Sequence, residues 1–496
     1  MKKIKFLLPL LALFILSCDN YLDVNNQNPN SPSPDQVTPD LSLANAEVAS
    51  YREVARNMNR LGNFFMNNWG MNVNSFAVTS PAEFSLVMDN SFYSSIWDNT
   101  MLNTANFTAI INHPDANFEN HKAIAKILKS YYFQYMVDLY GDIPYSQAHM
   151  GTSNLTPTYD DGKAVYAALY AQINEAIAMI NASTTATKVV GAEDVVYGGN
   201  MGEWLRFANT LKLRMLLRQS ELTDAATTSM LATEFALLDG AAFLTADATI
   251  NPGYDNSDAA RQNPFYNQMY ELDETTQKST FNFLRASKYM GDLLNGSSDP
   301  RRGALFALVS SNVAGVLQGD SSQQSGGTAP LVISSLGTGI VNASSQNGYM
   351  ITAAESYFLQ AEAYHRGFIT MGPDAQTLFD MGIAASMAQL GVSDGGYTGF
   401  INGIVGKGYG VGTAADQMEA IMYQKNIALQ GSVNAMESFI EHTRTGLIDN
   451  IPLATGAAKA NKPRRLLYPN SEYVGNSVNV PAQGDVYTTG SFWFAY

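Results

Sequence analysis

Between His121 and Tyr140, apolar side chains return every three or four residues: Ile124, Ile127, Leu128, Tyr131, Tyr135 and Leu139. That spacing draws one stripe along an α-helix and lacks the alternation of a strand. Gly141-Asp-Ile-Pro144 follows and predicts a stop, with Gly just past the end and Pro three residues on. The same period runs from Lys163 to Ile180 through Val165, Leu169, Ile173 and Ile177. It recurs from Glu203 to Arg218 through Trp204, Ala208, Leu211 and Met215. Further helices are predicted at Ala353–Arg366, Asp374–Gln389, Ala415–Gln430 and Asn434–Thr443, with a helical turn around Trp97. Strand and helix do not alternate, so a doubly wound sheet is disfavoured. The fold class expected is mostly α, with consecutive helices paired. Small residues at Ala361, Ala363, Ala384 and Ala385 stand where two helices would touch, as in a tetratricopeptide unit.

Long irregular stretches separate these helices. Thr249–Thr280 is polar with interspersed aromatics, Ser310–Tyr349 holds short Val/Ile runs that suggest minor β structure, and Gly391–Gly412 is Gly-rich. Loops of that length inside a folded domain are usually functional. The chain is 46% hydrophobic and only 15% charged, so residues 41–496 can bury the core of a single large domain.

The first residues are of another kind. Lys2, Lys3 and Lys5 precede an apolar run from Phe6 to Leu16, too short for the roughly 20 residues of a membrane span. It fits a signal peptide over residues 1–17. Leu16-Ser-Cys18 resembles a bacterial lipobox, which makes Cys18 the expected lipidated residue and residues 18–40, rich in Asn, Pro, Ser and Asp, an extended tether. Cys18 is the one cysteine, so an internal disulfide and a cysteine-based metal site are both excluded. A formal charge of −15 argues against nucleic acid as a partner.

The inventory of catalytic motifs is nearly empty. There is no Gly-x-Ser-x-Gly elbow, and Gly403-Ile-Val-Gly-Lys-Gly408 has the wrong spacing for a phosphate loop. His113, His121, His149, His365 and His442 show no metal-ligand spacing. Asp255-Asn-Ser-Asp258 offers hard oxygens to calcium but lacks the rest of an EF-hand loop, and reads first as a polar turn; no other cofactor is indicated. A carboxylate pair for glycoside hydrolysis leaves no spacing signal, so a secreted hydrolase stays open as the minor rival.

Six segments, taken in order, resemble the SusD/RagB family of surface glycan-binding lipoproteins. They are the lipobox with Cys18-Asp-Asn-Tyr-Leu-Asp-Val-Asn25; Tyr132-Phe-Gln-Tyr-Met-Val-Asp-Leu-Tyr-Gly-Asp-Ile-Pro-Tyr145; Trp204-Leu-Arg-Phe-Ala-Asn-Thr-Leu-Lys-Leu-Arg-Met215; Ala354-Glu-Ser-Tyr-Phe-Leu-Gln-Ala-Glu-Ala-Tyr364; Gln424-Lys-Asn-Ile-Ala-Leu429 with Arg444-Thr-Gly446; and Pro463-Arg-Arg-Leu-Leu-Tyr-Pro-Asn-Ser-Glu472. Phe439 stands where the family often has Trp. The resemblance implies about four tetratricopeptide-like units and no catalysis. It implies an outer-membrane, lipid-anchored protein facing the cell exterior. It also implies a partner, a TonB-dependent transporter of the SusC type, and an oligosaccharide or, for some members, a peptide as cargo.

A pyranose offers a face of C–H groups and a rim of hydroxyls, so its site needs aromatic rings beside Asn, Asp, Gln or Arg. Two stretches combine these. In Asn67–Phe84 the candidates are Trp69, Asn72 and Phe76, with Asn74 and Phe84 nearby. In Thr249–Phe283 they are Tyr254, Asn263, Phe265, Tyr266 and Phe281, with Asn256, Arg261, Tyr270 and Asn282 beside them. Trp97, Asp142, Tyr145 and Trp204 are expected to be structural.

Overall fold

The computed structural model describes residues 36–75, 81–320, 332–448 and 451–495. Cys18 and Phe76 lie outside them, as do the signal peptide and most of the expected tether. Helix α1, Pro39–Glu53, runs through a π-helical turn at Val54–Met58 into α2, Asn59–Phe65. Pro39 opens α1 at a position where a missing N–H costs nothing. The helix therefore starts two residues inside the stretch expected to be tether.

Four helix pairs build the body. They are α3, Ser94–Ile111, with α4, Glu119–Tyr140; α5, Gly162–Asn181, with α6, Met201–Arg218; and, after α7, Ala225–Leu238, and α8, Lys288–Gly296, the pairs α9, Ala353–His365, with α10, Ala375–Gln389, and α11, Ala414–Gly431, with α12, Ala435–Thr445. Side-chain caps start many of them: Asp161 Oδ1 accepts from the Ala164 N–H at 3.0 Å, and Thr413 and Asp416 form a reciprocal capping box on α11. Gly141, at φ +86°, ends α4 as its sequence foretold.

The predicted stripes are buried, but two faces differ from expectation. α4 is enclosed nearly all round, with only Glu119, Lys122 and Lys126 outside the core, because α1, α3, α5 and α6 all pack on it. On α10, Ala384 faces solvent and Ala385 is half-buried; Phe379, Gly382 and Ile383 carry the contact with α9. A Cβ on Gly382 would come within 2.7 Å of the Phe358 ring, so the two helices meet at that glycine.

The apolar core also holds a hub of charge. Arg214 and Arg218 on α6, Lys425 on α11 and Arg444 on α12 are buried with Asp138 on α4, Glu355 and Glu362 on α9, and Glu437 and Glu441 on α12. Arg214 Nη1 lies 3.0 Å from Glu355. Arg218 lies 3.2 Å from Asp138, 2.6 Å from Glu437 and against Glu441. Arg444 lies 2.8 Å from Glu362 and 2.6 Å from Glu441, and Lys425 3.3 Å from Glu441.

Strands are few. β1, Trp69–Met71, pairs antiparallel with β3, Leu284–Ala286, and β2, Thr249–Ile250, with β4, Gly348–Tyr349. Within Ser310–Tyr349 the described residues outside β4 add only isolated bridges, Asn312 with Val309, Val316 with Ser287 and Leu336 with Phe306. No described helix is long and apolar enough to cross a membrane.

Candidate functional site

The β1–β3 ladder joins the two stretches that combine rings with amides. Trp69 pairs with Ala286, Gly70 with Arg285 and Met71 with Leu284. Beyond the ladder, the Asn72 N–H donates to Phe283 O at 2.8 Å, and its Nδ2 to Asn282 O at 3.0 Å. A third segment locks on: Gln318 Nε2 donates to Trp69 O at 2.6 Å, and Ala286 accepts from the Val316 N–H at 3.0 Å.

The predicted residues do come together here, but mostly as the floor. Trp69 has no exposed surface and stacks on Phe265 at 6.2 Å between centroids. Its Nε1 has no hydrogen-bond partner among the described residues. Asn263 is fully engaged: its Oδ1 accepts from the Phe265 and Tyr266 N–H groups, and its Nδ2 donates to Gln346 O. Tyr254, Tyr266, Phe281 and Phe84 are buried as well. Burial pushes the Tyr266 hydroxyl up to about 12, so it is a neutral donor at all physiological pH. These candidate rings pack beneath their own loops.

What reaches solvent is a second set. Tyr270 and Phe283 are half-exposed. Tyr270 extends a ladder of rings, 5.3 Å from Tyr266 and 5.0 Å from Phe281. Half-exposed Asn282 and Asn267 and exposed Asn74 supply amides around them. Arg60 lies 5.5 Å from the centroids of both Phe64 and Phe283. Arg56 donates to Pro264 O and to Asn267 Oδ1, each at 3.0 Å. Lys278 Nζ donates to Asn267 O at 2.6 Å, and Arg285 Nη1 to Phe281 O at 2.9 Å. The arginines were not read from the sequence, although Arg52, Arg56 and Arg60 recur every fourth residue along one helix.

The remaining expectations are placed as follows. Asp255 accepts from Ser257 and pairs with Arg261 at 2.7 Å, and Asp258 accepts from the Ala260 N–H, so both carboxylates serve the turn. Among the described residues, no three His, Cys, Asp or Glu side chains are grouped to hold a metal ion. Trp204 is buried and donates to Asp194, Trp97 is buried and donates to Glu472, and Asp142 accepts from the Gly162 N–H. Tyr145 is half-buried and edges onto Phe133. Phe439 fills the core against Phe65 at 4.9 Å.

A family described as SusD-like, "Starch-binding associating with outer membrane", matches residues 29–469. The chain belongs to the SusD-like family. Solved structures agree with that assignment at the level of fold. A chitin-binding SusD homologue from Flavobacterium johnsoniae is 23% identical, with TM-score 0.71, over 92% of this chain and 97% of its own. A SusD homologue from Bacteroides thetaiotaomicron is 21% identical, with TM-score 0.70, over 91% and 99%. A Bacteroidetes SusD-like protein is 20% identical, with TM-score 0.75, over 93% and 100%. No protein with a curated description matches the sequence. The SusD-like fold accounts for the helix pairs, and the family's binding, non-catalytic character matches the scarcity of catalytic motifs.

Proposed function

We propose that this SusD-like protein is a non-catalytic lipoprotein, anchored through Cys18, that captures oligosaccharides at the β1–β3 seam and delivers them to a SusC-type transporter. The observation that carries the reading is that the rings of Tyr270 and Phe283 stay half-exposed, with the half-exposed amide of Asn282 next to Phe283 in the chain. Rings of that kind stack on the C–H face of a sugar while amides hold its hydroxyls. The starch-binding description of the family and the chitin-binding name of one relative support sugar as the cargo. The nearest carboxylates are already engaged. Glu83 accepts from Tyr93 at 2.7 Å, and Glu53 accepts from Asn57, Ser95 and Asn99.

The test is titration calorimetry of the full chain in detergent against neutral and charged oligosaccharides and short peptides. Phe283→Ala is expected to weaken sugar binding about tenfold, the loss of one stacked ring. Heat from peptides alone would replace sugar with peptide as the cargo. A transporter of the SusC type should co-purify from native membranes, and its absence would remove delivery from the proposal.

A further inference from the structure

The acids of this chain outnumber its bases, 44 to 29. At the seam the balance is different. Arg52 is exposed and has no ion pair or hydrogen bond among the described residues. Arg56 and Arg285 spend their guanidinium groups on carbonyl and amide oxygens, with no carboxylate partner among the described residues. Arg60 and Lys278 each have one loosely held acid, Glu83 at 3.8 Å and Glu271 at 3.7 Å. Other acids near this face are satisfied by their own loops: Glu53 by three side chains, Asp273 by Thr275 and Thr276, and Glu274 by the Ser344 N–H.

These cations bind the same stretch of chain that carries the half-exposed rings. Arg56 and Lys278 hold the same residue, Asn267, next to Tyr266. Arg60 covers one side of Phe283, and Arg285 reaches back to the carbonyl of Phe281. Burial is the largest effect lowering the Arg56 pKa; the Arg52 charge adds to it and the Glu53 charge opposes it. Arg56 also lies within the π-helical turn, a rare geometry that recurs at functional sites. Among the described residues Arg52, Arg56 and Arg285 have no carboxylate at ion-pair distance, so an anionic ligand meets cations there that no acid has matched.

We infer that the seam takes an anionic oligosaccharide, one carrying uronate carboxylates or sulfate esters. Guanidinium forks match both groups. The inference rests on the oligosaccharide reading above and narrows its substrate class. Binding of the full chain in detergent would be measured for an oligogalacturonate tetrasaccharide, a sulfated galactan tetrasaccharide and neutral galactotetraose. At least one acidic sugar is expected to bind about tenfold more tightly than the neutral one. That preference should shrink when NaCl is raised from about 0.05 M to about 0.5 M, as screening requires. Arg52→Gln should reduce it while leaving any neutral binding unchanged; Arg56→Gln should reduce it as well, and Arg56→Lys should retain part of it. Arg52 has no partner to lose, so its variant folds normally. The arm that responds tells uronate from sulfate. Equal affinity for all three sugars, or indifference to both Gln variants, overturns the anionic inference and leaves the glycan reading standing. Binding of no sugar at all overturns both.

Discussion

Arginine is used in two opposite ways in this molecule. In the hub between the helix pairs, Arg218 meets three carboxylates and Arg444 two within 3.2 Å. At the β1–β3 seam, Arg52, Arg56 and Arg285 meet none among the described residues. Burial explains the contrast. A guanidinium removed from water needs matched counter-charge, whereas one at the surface does not. The hub charges thus specify which helices meet, since only one arrangement pairs them all. The seam arginines instead bind neutral oxygens, Arg56 those of Pro264 and Asn267 and Arg285 those of Phe281 and Leu284, which leaves their charge unmatched by acid among the described residues.

The largest test of this contrast is Glu437→Ala. Glu437 faces Arg218 at 2.6 Å and Arg214 at 3.6 Å, all fully buried. Removing it strands positive charge in the core and should cost about 3–5 kcal/mol, read as a lower urea midpoint. A change below about 1 kcal/mol would mean that the hub tolerates unpaired charge, and the comparison would fail.

Acid should have the next largest effect. Burial pushes the Glu437 carboxyl up, but Arg218 and Arg214 more than offset it and hold it down at about 2. Glu362 is likewise held at about 2, by Arg444 and Arg366 against burial. Both lie below the ordinary glutamate value of 4.5, so their stabilisation is complete above about pH 4.5 and is lost as pH falls toward 2. Glu355 moves the other way, raised by burial despite Arg214, so its ionisation costs stability above pH 4.5 and that cost is relieved as pH falls. Denaturation at pH 7, 4.5 and 3 should show no loss in the first step and a loss of about 2–3 kcal/mol in the second.

The hub also explains what the sequence could reveal. Asp138, Arg214, Glu355, Glu362, Lys425 and Arg444 all fall within segments that carry the family resemblance. Partners as far as 223 residues apart in the chain meet in the hub. Periodicity supplied the helices themselves, because each stripe faces a neighbour. It missed that α4 is enclosed, since enclosure is set by four other helices. The two site stretches were legible from composition. Their exposed residues were not, because rings that pack and rings that bind are the same residue types. Trp69 lies in the β1–β3 ladder and is buried, whereas Tyr270 lies outside it and is half-exposed. The Arg52, Arg56, Arg60 spacing was visible, but without a fold it reads as an ordinary solvated helix face.

The smallest expected effect is the sharpest test of the seam. Arg52→Gln removes a charge that no described side chain holds, on an exposed position of α1. Gln keeps helix propensity close to that of Arg, so stability should stay within about 0.5 kcal/mol of the parent. The same change is expected to act on acidic-sugar affinity, so the two readouts separate. If Arg52→Gln instead lowered stability by more than about 1 kcal/mol, the residue would have a partner within the fold. The seam would then be one more ion-paired surface, and the distinction between charges that build the molecule and charges left for a ligand would no longer hold there.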